Sequence, residues 1–243
     1  MKKILLLDIS NSFTKAATAA GKRIGRVQRL PTASLDADQL RRLFPKCQPD
    51  GVVLSSVVPK KTQEVLTAFQ RVLQVSPALD LGVGIDYPSP SAIGPDRLAN
   101  AAGCAAIYGF PAIVVDFGTA VTFDVISDGG DYIGGVIAPG LGAMTTYLHD
   151  RTALLPLIKL RAPARVVGRS TTQAMLSGAV HGYRGLVKEI LEQIRSEAFP
   201  DKHPRIIATG GDAALIAGGV GIFDVVDPLL TLRGLLIIAE RNP

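Results

Sequence analysis

Two segments of the sequence match each other: I-L-L-L-D-I-S-N-S-F-T-K at residues 4–15 and A-I-V-V-D-F-G-T-A-V-T-F at residues 112–123. Each contains an apolar run that ends in an aspartate, Asp8 or Asp116, followed by a turn of small residues. Short apolar runs bounded by turn residues are typical of buried strands. The match predicts an internal duplication in which each half begins with a β-hairpin whose turn faces a shared cleft. Chance is the alternative, because strand–Asp–Gly turns are common.

Helical and strand patterns alternate along the rest of the chain, which indicates an α/β architecture. Helical spacing of apolar residues occurs at 36–44, 62–75, 98–108, 171–196 and 229–241. Further strand patterns occur at 51–58, 132–138 and 205–208, and residues 87–97 are rich in proline and glycine, which predicts a loop. We predict an N-terminal half at residues 1–111 and a C-terminal half at residues 112–243.

The composition limits the class of protein. Hydrophobic residues make up 47% and charged residues 19% of the 243 residues, which is typical of a globular protein and argues against disorder. The net charge is +5, but the basic residues are scattered, which argues against a nucleic-acid partner. The apolar run at 4–7 is too short for a signal peptide, and no stretch has the length of a membrane helix. Cys47 and Cys104 form no C-x-x-C pair and are expected to be reduced thiols in the cytoplasm.

The turn after Asp8 has the residue types of a phosphate site. Its backbone N–H groups suit phosphate oxygens, and the carboxylate suits a hydrated Mg²⁺ ion. Asn11, Ser12 and Lys15 add donors and a positive charge. The alternative is an ordinary hairpin in which Asp8 accepts hydrogen bonds from turn amides, and this turn alone favours that alternative.

The turn after Asp116 is the counterpart in the second half. Gly118 permits a close approach of the backbone to a ligand, and Thr119 offers a hydroxyl. Two such turns facing each other would clamp a phosphate chain. The pair of turns is a more specific signal than either turn alone. T-G-G at 209–211 follows a third strand and predicts a surface for adenine or ribose; a simple strand-to-helix turn is the alternative.

G-P-D-R at residues 94–97 places a charged pair at the start of a very apolar helix. An aspartate beside a substrate hydroxyl can accept its proton during phosphoryl transfer. Arg97 can hold a carboxylate or stabilise transferring charge. In the alternative interpretation Asp96 is the N-cap of the helix and Arg97 is solvated, and spacing alone favours that interpretation.

Together these motifs resemble the type III pantothenate kinase family, which belongs to the superfamily of acetate kinase, sugar kinases, Hsp70 and actin. The resemblance covers nearly the whole chain. It rests on D-I-S-N-S-F-T-K at 8–15, S-S-V-V-P at 55–59, Y-P-S-P-S-A-I-G-P-D-R at 87–97, V-V-D-F-G-T-A-V-T-F-D at 114–124, G-G-V-I-A-P-G-L at 134–141, G-R-S-T-T-Q-A-M-L-S-G at 168–178, A-T-G-G-D at 208–212 and D-P-L-L-T-L-R-G-L at 227–235. It implies a duplicated ribonuclease H-like (actin-like ATPase) fold, with two halves around a nucleotide cleft.

The resemblance also implies an activity and its residues. The activity is ATP-dependent phosphorylation of pantothenate to 4′-phosphopantothenate, the first step of coenzyme A biosynthesis, with Mg²⁺ and a monovalent cation, K⁺ or NH₄⁺. Asp96 is implied as the general base and Asp116 as the ligand of the monovalent cation. The residues implied for pantothenate are Tyr87, Gly94, Pro95, Asp96, Arg97 and Thr171. Those implied for ATP are Asp8, Ile9, Ser10, Asn11, Ser12, Phe13, Thr14, Lys15 and Thr119.

Partners and departures follow from the same resemblance. Family members are homodimers, so this chain is expected to dimerise in the cytoplasm, with no nucleic-acid or membrane partner. Ser10 replaces the glycine of the usual D-x-G-N motif, which would cost about 1 kcal/mol or more if that position needs a positive φ. Ser170 replaces an asparagine. Ser10 favours a second hypothesis, a non-catalytic nucleotide-sensing relative; a third, a sugar or acetate kinase, is disfavoured by the 87–97 loop.

Overall fold

The computed structural model describes residues 3–43 and 49–243. Its strands are β1 Lys3–Ile9, β2 Phe13–Ala20, β3 Arg23–Ile24, β4 Gln28–Pro31, β5 Gly51–Ser56, β6 Val72–Gln74, β7 Gly84–Ile85, β8 Ala112–Phe117, β9 Ala120–Ile126, β10 Asp131–Pro139, β11 Arg205–Gly210 and β12 Val225–Val226. Its α-helices are α1 Ala37–Leu43, α2 Pro59–Ala68, α3 Pro95–Tyr108, α4 Leu141–Arg151, α5 Thr171–Ala198, α6 Ala213–Ala217 and α7 Leu230–Arg241.

The chain forms two compact units. The first contains residues 1–109, 130–133 and 229–243, and the second contains residues 110–129 and 134–228. The halves predicted at 1–111 and 112–243 describe the internal duplication and stay a prediction. Cys104 is a buried free thiol, whereas Cys47 and the end of the helix predicted at 36–44 lie outside the described residues.

The first unit is built on a mixed sheet with the strand order β3-β2-β1-β5-β6, and β4 pairs with β2. β1 is antiparallel to β2 and parallel to β5. Alternate residues of β1 point to opposite faces. One face carries Leu5, Leu7 and Ile9 into a core with Leu40 of α1 and Val65 of α2. Helices α3 and α7 pack on each other; α7 contacts β1 and β5, and α3 contacts β5.

The sheet of the second unit repeats this topology. β8 is antiparallel to β9 and parallel to β11, which is parallel to β12. The order β9-β8-β11-β12 therefore corresponds to β2-β1-β5-β6 of the first unit. The hairpins predicted from the matching segments are both present, and each places its aspartate at or next to the carboxyl end of its first strand.

Two sequence predictions need correction, the helix at 62–75 and the extent of the loop at 87–97. The helix predicted at 62–75 is α2 at Pro59–Ala68, followed by strand β6. Proline suits the first turn of a helix because it needs no partner for an N–H group, so Pro59 begins α2. Val72 instead pairs with Val52 of β5, which makes the end of that segment a strand. Helix α4 and strand β12 were not predicted, and helix α3 begins at Pro95, inside the predicted loop.

Helices α3 and α7 approach each other closely at two glycines. A β-carbon on Gly234 would lie 1.8 Å from the carbonyl oxygen of Ala99, and one on Gly103 would lie 2.9 Å from the carbonyl oxygen of Leu230. The buried Thr231 hydroxyl donates to Asn100 Oδ1 at 2.9 Å. This contact fixes α3, whose first turn carries Asp96 and Arg97. Among the described residues, no helix has the length and hydropathy needed to cross a membrane.

Candidate active site

The turn between β1 and β2 is closed by the Ser10 N–H, which donates to the Phe13 carbonyl at 3.2 Å. Asp8 lies at the end of β1 with 5% of its surface exposed, and it accepts a hydrogen bond from the Ser55 hydroxyl at 3.3 Å. Asn11 and Ser12 are exposed at the tip. The turn therefore combines a buried carboxylate with exposed residues at its tip.

Thr32 supports this turn from behind. Its N–H donates to the Ser12 carbonyl at 3.0 Å, and its hydroxyl donates to the Ser10 carbonyl at 2.7 Å. Thr32 Oγ1 also lies 3.0 Å from Thr14 Oγ1. Because Thr32 is 3% exposed, the conformation of the turn is set by a buried side chain from beyond β4. No local sequence signal points to this role.

Ser10 causes no backbone strain. Every positive φ among the described residues belongs to a glycine, so Ser10 has an ordinary negative φ. The cost expected for a serine at this position therefore does not arise. Backbone strain at Ser10 therefore gives no support to the hypothesis of a non-catalytic relative.

Two basic residues lie beside the turn. Lys15 pairs with Asp8 of β1 on one side and with Arg29 of β4 on the other. Residues directly opposite each other in antiparallel strands share a face of the sheet. The guanidinium carbon of Arg29 lies 3.7 Å from the ring centroid of Phe13. Arg29 was not predicted, since only the pairing of β4 with β2 brings it here.

The second turn is held by β10 and the residue that follows it. The Gly140 N–H donates to the Thr119 carbonyl at 3.0 Å, and a β-carbon on Gly140 would lie 2.4 Å from that oxygen. The Tyr183 hydroxyl donates to the Pro139 carbonyl at 3.2 Å. Burial, with a smaller contribution from Asp212, raises the pKa of Tyr183, so this hydroxyl stays a donor at neutral pH. Thr119 is exposed on the supported turn.

The carboxyl ends of β8 and β11 lie side by side. Asp116 and Thr209 are paired in register, and a β-carbon on Gly210 would lie 2.6 Å from Asp116 Oδ1. Gly210 has a φ of 95°, which only glycine adopts readily. Thr209 is fully buried, and its hydroxyl has no hydrogen-bond partner among the described residues. A buried hydroxyl next to a carboxylate is an oxygen donor pair suited to a cation.

Asp96 lies in the first turn of α3, and Gly94 is the N-cap. The interpretation of Asp96 as the N-cap is therefore wrong; Pro95 takes the first helical position, as its fixed φ favours. Asp96 Oδ1 accepts a hydrogen bond from the Arg97 N–H at 3.0 Å. A β-carbon on Gly94 would lie 2.5 Å from the same oxygen. Glycine at position 94 thus leaves room for the carboxylate at the half-buried start of the helix.

Tyr87 and Arg97 meet at a residue that sequence reasoning missed, Tyr132. The Arg97 guanidinium carbon lies 5.6 Å from the centroid of the Tyr132 ring, and the Tyr87 ring lies edge-on to it at 6.1 Å. All three belong to the first unit. The predicted substrate residues Tyr87 and Arg97 are therefore brought together by a shared neighbour.

Thr171 is the first residue of α5, in the second unit, and is exposed. The preceding Ser170 is the N-cap, and its hydroxyl accepts from the Gln173 N–H at 3.3 Å. Serine serves as an N-cap as well as asparagine does, so this departure from the family pattern is structurally neutral. That the turns after Asp8 and Asp116 face each other stays a prediction.

Known proteins resemble this chain in sequence and in fold. A family model described as Type III pantothenate kinase matches residues 4–193. A protein from Akkermansia muciniphila named Type III pantothenate kinase is 50% identical over 240 residues, covering 98% of both chains. Another of that name from Methylacidiphilum infernorum is 42% identical over 238 residues, covering 98% of this chain and 88% of the relative.

Solved structures with little sequence identity resemble the fold. An activator of the 2-hydroxyisocaproyl-CoA dehydratase from Clostridium difficile with bound ADPNP has a TM-score of 0.59 at 12% identity, covering 99% of this chain and 96% of that one. MreB5 of Spiroplasma citri bound to AMPPNP has a TM-score of 0.53 at 12% identity, with the same coverage. These likenesses concern the fold alone, and with the repeated sheet topology they confirm the predicted duplicated ribonuclease H-like, actin-like ATPase fold.

Proposed function

The chain belongs to the type III pantothenate kinase family, and we infer that it phosphorylates pantothenate to 4′-phosphopantothenate with ATP, the first step of coenzyme A biosynthesis. The main support for this function is the 50% identity, over 98% of both chains, to a protein named Type III pantothenate kinase. The predicted family resemblance is confirmed by that match.

A coupled assay of ADP release tests the activity. With ATP and Mg²⁺, ADP is expected to form when pantothenate is the acceptor, and not with sugars or acetate. ADP release with a sugar or acetate instead would support a kinase of the same superfamily with another substrate. ATP binding without turnover of any of these acceptors would support the non-catalytic relative.

The phosphates of ATP are bound by the two turns, with Lys15 beside the first and the Thr119 hydroxyl on the second. Asp8 is the carboxylate of the first turn, and it interacts with Mg²⁺ carried by the nucleotide, since Mg²⁺ at phosphate sites takes one or two carboxylates. Ile9, Ser10, Asn11, Ser12, Phe13 and Thr14 complete this ATP site. Positioning and charge stabilisation supply most of the catalysis in phosphoryl transfer.

Asp96 is the general base. It accepts the proton of the pantothenate hydroxyl as that oxygen attacks the γ-phosphorus. Asp96 lies in the first turn of α3, and its Oδ1 accepts a hydrogen bond from the Arg97 N–H. This contact holds the carboxylate at the start of the helix. Tyr87, Gly94, Pro95, Arg97 and Thr171 bind the rest of pantothenate.

A monovalent cation, K⁺ or NH₄⁺, is held by Asp116. Support comes from Thr209, which is paired in register with Asp116 and whose buried hydroxyl has no hydrogen-bond partner in residues 3–43 and 49–243. A buried polar group without a partner costs roughly 1–3 kcal/mol, so a ligand that uses it gains that much relative to the empty site. The cation would supply positive charge where few side-chain cations lie.

The cation site predicts a measurable effect of Thr209→Val on stability. K⁺ is expected to raise the Tm of the wild type above its value in Na⁺ buffer, and this increment should disappear in the variant. In Na⁺ buffer the variant should be at least as stable as the wild type, because valine removes the unsatisfied hydroxyl. Differential scanning fluorimetry in matched salts measures both.

Thr231→Val is the matched control for that experiment. Thr231 is also a buried threonine, but its hydroxyl donates to Asn100, so this variant should lose stability and keep the K⁺ increment. A K⁺ increment that survives in Thr209→Val would remove Thr209 from the site. If Asp116→Asn keeps it as well, the cation assignment is wrong.

Dimerisation is supported by apolar side chains that are exposed on the second unit. Between β10 and the start of α5 these are Ile137, Met144, Tyr147, Leu154, Leu157, Val166 and Val167. Leu154 is 89% and Val167 is 79% exposed. Concentrations of exposed apolar residues mark interaction surfaces, and symmetric homodimers are the commonest assemblies.

Leu154→Glu is expected to shift the chain from dimer to monomer without unfolding it, because the side chain packs little within its own unit. Sedimentation velocity at micromolar concentration measures the shift. The exposed Leu66 on α2 of the first unit provides the control, Leu66→Glu, which should stay dimeric. A monomeric wild type would refute the dimer.

A further inference from the structure

Tyr132 lies at the start of β10 and is fully buried. It pairs in register with Ile85 of β7, and its carbonyl accepts the Asp86 N–H at 3.0 Å. Tyr87 follows directly after this backbone contact. The main chain of Tyr132 therefore anchors the start of the loop that carries a proposed substrate residue.

The ring of Tyr132 contacts both Arg97 and Tyr87. The Arg97 guanidinium lies over the ring, 5.6 Å from its centroid, within the range of a cation–π interaction. The Tyr87 ring makes an interplanar angle of 71° with it, the edge-to-face arrangement that the aromatic quadrupole favours. One buried ring thus orients a cation from α3 and an aromatic ring from the loop.

We propose that Tyr132 is a positioning residue for pantothenate, and that its ring holds the Arg97 guanidinium ready to bind the substrate carboxylate. This inference rests on the proposed function. An arginine side chain has many rotamers, and ordering it costs affinity unless the free protein already holds it in place. An arginine can contact an aromatic face with the plane of its guanidinium and bind a carboxylate through the edge of that plane.

The competing explanation is that Tyr132 only fills space in the core. The two explanations differ in what they predict for the substrate. A packing role affects all acceptors alike, whereas a role through Arg97 affects only acceptors that carry the carboxylate. The neutral amide analogue of pantothenate keeps the reacting hydroxyl and lacks the charge, so it separates the two.

The test compares Tyr132→Phe, Tyr132→Leu and the wild type with both acceptors. Tyr132→Phe keeps the ring and should retain the wild-type KM. Tyr132→Leu should raise the KM for pantothenate about tenfold, with kcat and the KM for ATP within about twofold of the wild type. For the amide, Tyr132→Leu should differ from the wild type by less than about twofold.

A second series keeps the experiment decisive if Tyr132→Leu does not fold. Phenylalanines with increasing numbers of ring fluorines at position 132 retain the shape while weakening the negative face that attracts the guanidinium. The KM for pantothenate should rise stepwise with fluorination, and the KM for the amide should not.

A flat series, or equal losses with pantothenate and the amide, would overturn the positioning role and leave the proposed function intact. Calorimetric titration of the wild type with pantothenate distinguishes the other failure. A wild type that neither binds nor phosphorylates pantothenate overturns both the proposed function and this inference.

Discussion

Asp96→Asn is expected to lower kcat by a factor of about 10² to 10⁴, the usual contribution of a general base. Asparagine has the size of aspartate and leaves Gly94 and the Arg97 N–H in place, but it cannot accept the hydroxyl proton. The KM for ATP should stay unchanged, because the proposed partner of Asp96 is the acceptor hydroxyl and not the nucleotide. Steady-state kinetics, with circular dichroism to check the fold, measures the effect.

Asp38→Asn is the matched control for this loss. Asp38 also lies in the first turn of a helix, α1, and forms an exposed ion pair with Arg41 at 3.1 Å. The two variants share the small loss of favourable interaction between a carboxylate and a helix N-terminus. Asp38→Asn should keep the wild-type kcat. A wild-type kcat in Asp96→Asn would remove Asp96 from its role.

Gly234→Ala is expected to destabilise the protein by at least about 3 kcal/mol, at the upper end of overpacking effects. The added methyl group would lie 1.8 Å from the Ala99 carbonyl oxygen, and a backbone atom in a helix cannot rotate away. Helices α3 and α7 must therefore separate, and their buried Thr231–Asn100 hydrogen bond must lengthen. Denaturant unfolding measures the change in free energy.

Gly185→Ala provides the contrast. Gly185 lies within α5, and a β-carbon there would meet nothing within 4 Å. Alanine should stabilise the helix by about 0.4–1 kcal/mol, since it lowers the entropy of the unfolded chain. Wild-type stability in Gly234→Ala would mean that the two helices lie farther apart than described. If Gly234→Ala folds, the KM for pantothenate should rise, because α3 carries Asp96 and Arg97.

The sequence was informative where the signal is local. Around Asp8 and around Asp116, the apolar run, the aspartate and the turn of small residues follow one another in the sequence. Both hairpins could therefore be predicted. The position of Asp96 was also available locally, because Pro95 prefers the first helical position and leaves Gly94 as the N-cap. That preference of proline argues against Asp96 as the N-cap.

Residues brought in by pairing between distant segments could not be predicted. The pairing of β4 with β2 places Arg29 and the following Thr32 beside the first turn. The pairing of β10 with β7 places Tyr132 beside Tyr87. The sequence around each of these residues does not indicate these pairings. Val72 shows the same limit, since an apolar pattern of that length suits a helix end or a strand until its partner β5 is known. Tertiary pairing decided each case.

The position of α7 has a consequence for synthesis on the ribosome. This helix comprises residues 230–241 at the end of the chain, yet Leu232, Leu235 and Ile238 are fully buried in the first unit. During translation all residues of the second unit are synthesised before α7. The apolar surfaces of α3 and β1 that α7 covers therefore stay exposed until α7 has been made. The part of the chain that is synthesised first therefore completes its core only after α7 has been made.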